Sequence, residues 1–230
     1  MAKRKVAVFD IDGTVFRSSL LIELTEELIA RDEFKPGIRR LYAKAHKDWL
    51  DRKGSYDKYI GAVVVAFDTK IRGVPEDKLL LAVENVIAVH QHRVYRYTRD
   101  LIKDLKRKGY FMLAISHSPK YVVDGFCKKM GFDKVYGRIL ELDKNKKFTG
   151  KMFYTDIIDD KSKILKRAVE RNNLTMKGSV GVGDTESDIR FLRLVEKPIC
   201  FNPNKKLYNV AKRNHWQVVV ERKNVVYDIL

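Results

Sequence analysis

Val6-Ala7-Val8-Phe9-Asp10-Ile11-Asp12-Gly13-Thr14-Val15 is an apolar run that ends abruptly in two carboxylates, two residues apart, followed by Gly-Thr. A run of this kind reads as a buried parallel strand whose C-terminal end opens into a turn. In open α/β sheets, ligands gather outside those C-terminal strand ends. Residues two apart on a strand share a face, so Asp10 and Asp12 can point at one reacting group if the extended geometry reaches Asp12. Two unpaired carboxylates that close repel each other, and a divalent cation is their natural partner. Asp and Gly are also ordinary turn residues, so D-x-D-G in isolation is equally a surface turn. The rest of the chain shifts that balance.

Working outward, further strands are predicted over residues 110–116, 134–140, 148–154, 179–183, 198–201 and 217–220, with the first over 5–10. A β-hairpin is expected between Leu140 and Phe153, where Asn145 and Gly150 sit at turn-like positions. Several intervening segments carry helical periodicity. Leu101, Ile102 and Leu105 fall at helical spacing and Gly109 supplies a stop. Ile164, Leu165, Ala168 and Val169 form one apolar stripe. Strands alternating with helices imply an α/β fold with a doubly wound parallel sheet.

One region breaks the alternation. Between residues 18 and 99 the patterns are mostly helical: an amphipathic 20–30, a candidate over 39–50, and a long helix over 76–97 introduced by Pro75. The apolar run 62–67 reads equally as a strand or a buried helix segment. The expected organisation is an α/β core made of residues 1–17 and 100–230, interrupted by a helical insert over 18–99.

The 230-residue chain is ample for such a core plus insert. No apolar stretch approaches the ~20 residues a membrane helix needs. The basic N-terminus is followed by too short an apolar run for a secretory signal, so a cytoplasmic address is expected. Cys127 and Cys200 belong to no C-x-x-C pair, which leaves a zinc site or redox motif unsupported and two buried free thiols expected. The net charge is +17, from 47 Lys and Arg against 30 Asp and Glu. That balance suits polyanionic partners: nucleic acid, acidic lipid surfaces or phosphorylated small molecules. The basic residues are scattered in short clusters and no nucleic-acid-binding motif accompanies them. A solvated basic surface is favoured over a nucleic-acid function.

Three further pieces follow the first motif in order. Ser116 ends the strand 110–116 and is followed by His117-Ser118-Pro119. A hydroxyl and backbone N–H groups at a strand end that enters a helix suit an anion, although a serine there is also an ordinary helix cap. Lys161 lies just inside a helix that Asp159 and Asp160 are placed to cap. A fixed ammonium neutralises a phosphoryl group as a point charge, with Lys163 as a rival. Gly183-Asp184-Thr185-Glu186-Ser187-Asp188 directly follows the strand 179–183, and Asp188 lies one helical turn beyond Asp184, able to point back toward it.

This ordered set resembles the haloacid dehalogenase superfamily of phosphotransferases, over nearly the whole chain. The helical insert directly after the first motif is similar to the cap of the branch that contains phosphoserine phosphatase. The resemblance implies a Rossmann-like core and an Mg²⁺-dependent phosphomonoester hydrolase. It implies Asp10 as the nucleophile that forms an aspartyl-phosphate, and Asp12 as the acid and then base. It implies that Ser116 and the His117 backbone N–H hold phosphate oxygens and that Lys161 pairs with both Asp10 and the phosphate. Mg²⁺ is implied on the Asp10 side chain, the Asp12 backbone carbonyl and Asp184, with Asp188 in the outer shell or a ligand through water. Oxygen-only ligands suit that ion. The second Asp of the first motif favours a phosphatase or phosphomutase over carbon–halogen cleavage.

A small phosphorylated substrate is the expected partner. Where the phosphoserine branch carries an acidic residue for the substrate ammonium, this chain has Arg17-Ser18-Ser19-Leu20, and the first acid is Glu23. Arg17 points to a more acidic substrate, or is simply solvated. The rival readings are a phosphotransferase or phosphomutase of the same superfamily, and a basic nucleic-acid-associated protein that kept the fold.

Overall fold

The structure is a computed structural model that describes residues 3–154, 158 and 160–229. Its strands are β1 (Arg4–Phe9), β2 (Phe111–Pro119), β3 (Lys134–Leu142), β4 (Phe148–Phe153), β5 (Leu174–Gly183), β6 (Lys197–Phe201), β7 (Gln217–Arg222) and β8 (Val225–Asp228). They form one sheet in the order β4-β3-β2-β1-β5-β6-β7-β8. The β3–β2–β1–β5–β6–β7 pairings are parallel, and the two edge pairings, β3 with β4 and β7 with β8, are antiparallel. The strand order reverses beside β1, between β2 and β5, which is where a doubly wound sheet opens a crevice at its C-terminal edge.

Alternation along β1 explains the two layers. Ala7 and Phe9 join one apolar cluster, and Val6 and Val8 join the other. Both sets are fully buried, because a central parallel strand is covered on both faces. The first cluster packs against α1 (Leu20–Ala30), α2 (Ala43–Leu50), α3 (Tyr56–Lys70), α4 (Glu76–His90), α5 (Arg96–Arg107) and α6 (Lys120–Met130). The second packs against α7 (Lys161–Arg171), the short α8 (Ile189–Leu192) and α9 (Lys205–Asn214). Cys127 and Cys200 are buried free thiols. Among the described residues, no helix is long and apolar enough to cross a membrane.

The ambiguous run 62–67 lies inside α3. Tyr59, Val63, Ala66 and Phe67 are its buried face, which is helical spacing. Ser55 caps it by accepting from the Lys58 N–H at 3.3 Å. The helix expected over 39–50 is instead a 3₁₀ turn, Pro36–Leu41, followed by α2, with a break at Tyr42. The single helix expected over 76–97 is two, α4 and α5. Between them the backbone of residues 93–95 pairs with the first motif: Arg17 N–H donates to the Arg93 carbonyl at 2.9 Å and Tyr95 N–H to the Val15 carbonyl at 3.1 Å. Those long-range bonds outcompete helix continuation, and no Gly or Pro announces the break. α5 also straddles the division expected at residues 99 and 100.

The β3–β4 hairpin closes where expected, but its turn is built by Asp143. The Asp143 carboxylate accepts from the N–H groups of Asn145 and Lys147 at 2.8 and 3.0 Å. β8 has no counterpart in the sequence reading.

Candidate active site

The C-terminal ends of β1, β2 and β5 meet the N-terminus of α7 over the switch point. Asp10 follows β1 directly, and its N–H donates to the Val182 carbonyl of β5 at 2.9 Å. Its carboxylate takes the Lys161 ammonium at 2.5 Å. The same ammonium donates to Asp188 at 2.6 Å. All three side chains are buried. Lys161 is the first residue of α7, whose N-cap Asp160 accepts from Ser162 N–H at 3.0 Å. Asp159 lies outside the described residues. Lys163 is exposed, so it is Lys161 that reaches the acidic cluster.

Asp188 uses its second oxygen to accept from the N–H groups of Asp184 and Thr185, at 3.0 and 3.1 Å. This fixes the turn after β5. The turn needs a glycine before it, because a Cβ on Gly183 would fall 2.5 Å from the Asp188 carboxylate. Gly13 is constrained twice: its φ is +81°, and a Cβ there would lie 2.3 Å from an Asp184 oxygen. The first and last motifs therefore interlock at Gly13, while Gly183 lets the last motif close on itself.

Carboxylate oxygens of Asp10, Asp184 and Asp188 lie within 4.8 Å of one another. Burial pushes the Asp10 carboxyl up to about 7; the Lys161 ammonium pulls against this, and the Asp188 and Asp12 charges add to it. Burial and the charges of Asp10 and Asp188 likewise push Asp184 well above the usual carboxylate range. For Lys161, burial alone would favour the neutral amine, but the charges of Asp10 and Asp188 outweigh it and hold the ammonium. One ammonium faces several carboxylates, and the excess negative charge with all-oxygen donors fits a hard divalent cation.

Asp12 points elsewhere. One oxygen accepts from the Leu20 N–H at 2.6 Å, at the start of α1. The other accepts from the hydroxyls of Ser116 and Ser118, at 2.5 and 2.9 Å. Ser116 also accepts from the Ser118 N–H at 2.9 Å. The His117 ring is tied to the Ile158 carbonyl at 3.1 Å. Asp10, Asp12, His117, Ser118, Lys161 and Asp184 all line one cavity of about 340 Å³. Ser118 escaped the sequence reading, although it lies two residues beyond Ser116 on the same strand and so shares its face. Tyr56 and Asp57, from the start of α3, also line this cavity, and no local motif marks them.

Glu23, the first acid after the opening motif, is spoken for. It accepts from Ser18 at 2.7 Å and from Arg93 at 2.8 Å, and the His90 ring lies 3.3 Å away.

Comparison with known proteins agrees with this architecture. The chain is 23% identical over 211 residues to a phosphoserine phosphatase of Archaeoglobus fulgidus, covering 91% of this chain and 56% of the relative. It is 22% identical over 200 residues to a phosphoserine phosphatase of Methanocaldococcus jannaschii, covering 86% of each. The chain thus spans little more than half of the first relative's length and most of the second's. Among solved structures, a Bordetella pertussis protein of unknown function superposes with a TM-score of 0.74 at 16% identity, over 94% of this chain and 98% of that one. A phospho-aspartyl intermediate analogue of phosphoserine phosphatase superposes with a TM-score of 0.64 at 20% identity, over 96% and 95%. The haloacid dehalogenase-like hydrolase family matches residues 7–193, a span running from β1 past the Asp184–Asp188 turn. With the family's match covering most of the sheet and all four motifs, the chain belongs to the haloacid dehalogenase-like hydrolases.

Proposed function

We propose that this chain is an Mg²⁺-dependent phosphomonoester hydrolase that works through an aspartyl-phosphate on Asp10. The observation that carries this reading is the pairing of a buried aspartate at the end of β1 with a buried lysine, beside two further carboxylates. Asp10, Asp184 and the Asp12 backbone carbonyl would hold the metal, with Asp188 positioning Asp184 through its backbone. Bound there, Mg²⁺ supplies charge neutralisation for the phosphoryl oxygens.

The chain's own groups account for the rest. An Asp10 oxygen attacks phosphorus as the ester P–O bond breaks, and the leaving alkoxide takes a proton from Asp12. Water then attacks the acyl phosphate while Asp12 takes its proton, releasing inorganic phosphate and restoring the Asp10 carboxylate. Lys161 compensates the charge of Asp10 and of the phosphate as they approach. Ser116 exchanges its bond to Asp12 for a phosphate oxygen, and the His117 N–H is the second phosphate donor. Residues 18–99 act as a cap: Tyr56, Asp57, Ile60 and Val64 of α3 line the reaction cavity and would exclude water from it. The similarity to phosphoserine phosphatases supports a small phosphorylated substrate and a cytoplasmic enzyme. Engagement of Glu23 by Arg93 argues against its use for a substrate ammonium.

The test is a panel of phosphomonoesters with Mg²⁺, comparing the wild type with Asp10→Asn. Phosphate release by the wild type is expected, with a loss of at least about two orders of magnitude in the variant. EDTA should abolish turnover and Mg²⁺ restore it. Equal rates for the two proteins would end the proposal.

A further inference from the structure

A second cavity, of about 870 Å³, adjoins the reaction cavity, and Tyr56, Asp57, Asp184 and Thr185 line both. It lies between the insert and the C-terminal edge of the sheet. Its insert wall is aromatic. The rings of His46, Trp49 and Tyr59 run nearly parallel: His46 and Tyr59 are 4.5 Å apart at 19°, and Trp49 and Tyr59 are 5.7 Å apart at 15°. Tyr56 meets Trp49 edge-on at 5.4 Å. His46, Trp49 and Tyr56 are only half-buried.

Three observations separate this wall from ordinary core packing. First, none of these four side chains makes a hydrogen bond to another described residue, although every ring carries a polar tip. Among the described residues the buried side-chain polar atoms left without a partner are Thr14 Oγ1 and Arg138 Nη1, so these ring tips face accessible space and are open to a ligand. Second, the opposite wall carries Arg17 and Lys205, and neither forms an ion pair among the described residues. Arg17 lies over the Tyr95 ring at 5.7 Å. The other charges on the walls are largely spoken for, Arg93 by Glu23 and Lys206 by Glu186. Third, the reaction cavity alone sits at the small end of ligand pockets, whereas the adjoining volume is that of a site for a far larger group.

We infer that the leaving group of the substrate carries a planar aromatic ring of nucleoside size, which lies in the larger cavity among His46, Trp49 and Tyr56 while the phosphoryl group meets Asp10. The inference rests on the hydrolase reading above and names the substrate class for that site. Ring stacking is tolerant of ring identity, so the aromatic wall selects a class of leaving group. Tyr56 lines both cavities and would mark the junction between phosphate and ring.

Adenosine 5′-monophosphate and ribose 5-phosphate share a leaving alcohol and differ chiefly in the base. Their binding to Asp10→Asn, measured calorimetrically with Mg²⁺, isolates the ring from the chemistry. Lys161 keeps Asp188 as a partner in that variant. The nucleotide should bind at least tenfold more tightly. Trp49→Ala or Tyr56→Ala, each added to Asp10→Asn, should bring the two affinities within about threefold, while Trp49→Phe keeps most of the difference. Equal affinities for the two esters would overturn the inference, whether or not the wild type hydrolyses either one. So would a nucleotide preference that survives both alanine variants. Ring-selective binding without hydrolysis by the wild type would instead defeat the hydrolase reading and leave the aromatic pocket standing.

Discussion

Asp12 receives three donors: the Leu20 N–H and the hydroxyls of Ser116 and Ser118. In the proposed reaction this carboxyl gives and retakes a proton, which needs a fixed direction, and these bonds supply it. Ser116 is itself oriented by the Ser118 N–H, so Ser118 contributes twice, through backbone and side chain. Only the side-chain part is open to mutation. One hydrogen bond to a charged group contributes about 1.5–3 kcal/mol when nothing replaces it, and water entering from the cavity would offset part of this. Ser118→Ala should therefore lower kcat about three- to tenfold with little change in KM. The check on its route is a double-mutant cycle. In an Asp12→Asn background the serine substitution should cost almost nothing more, whereas an additive loss would show that Ser118 acts independently of Asp12.

The loop between α3 and α4 is stitched to the β3–β4 hairpin, far along the chain from where residues 15–17 meet residues 93–95. Gly73 N–H donates to the Phe148 carbonyl, Phe148 N–H to the Val74 carbonyl and Glu76 N–H to the Lys146 carbonyl, at 2.8, 3.0 and 2.8 Å. Beside this strap, Arg138 of β3 donates to Asp68 of α3 at 2.5 Å. The arginine is 6% exposed, so removing its partner strands a charge where solvent reaches it poorly. Asp68→Ala should lower stability by about 1–3 kcal/mol, below the cost of breaking a fully buried pair because the Asp68 side is partly open. Urea unfolding measures this, and an unchanged midpoint would show that the strap alone holds α3. The β3–β4 hairpin was legible from its turn residues, and the central strands from unbroken apolar runs. The four motifs were legible because each sits within a few residues of a strand end or helix start. What the sequence left hidden depends on distant partners. The break at 91–95 exists because residues 15–17 pair with it, and β8 exists because β7 offers an edge. Tyr56 reaches the site only because α3 folds over it. The run 62–67 stayed ambiguous for the same reason: its apolar residues suit either element until the neighbouring helices choose.

Charge is distributed unevenly over the molecule. The chain carries +17 overall, yet its candidate site gathers the carboxylates of Asp10, Asp184 and Asp188, with Lys161 donating to Asp10 and Asp188. In the proposed reaction a basic exterior would raise the local concentration of phosphate esters, and the acidic centre would need a cation before an ester could approach. In the metal-free fold, burial above all, with the Asp188 and Asp12 charges adding to it against the pull of Lys161, pushes the Asp10 carboxyl up to about 7 when an ordinary aspartate stands near 3.8. The sign of the resulting pH dependence follows from proton counting. Between about pH 4 and 7 the metal-free folded chain keeps protons at this centre that the unfolded chain has released. The centre's contribution to stability is therefore present at the acid end of this window and lost as pH rises through it. If Mg²⁺ is the ion of this site, it should bind the ionised carboxylates and reverse the loss. At a concentration about a hundredfold above its Kd it adds about 2.7 kcal/mol, or about 5–10 °C in Tm for a chain of this size. Thermal melts should therefore show a Mg²⁺-induced rise in Tm that is large at pH 8 and small at pH 5.5. Asp184→Asn should raise the metal-free Tm at pH 8 by relieving repulsion, and should shrink the Mg²⁺ response. A Mg²⁺ shift of equal size at both pH values, or one that survives Asp184→Asn in full, would mean that the ion stabilises the fold from some other place.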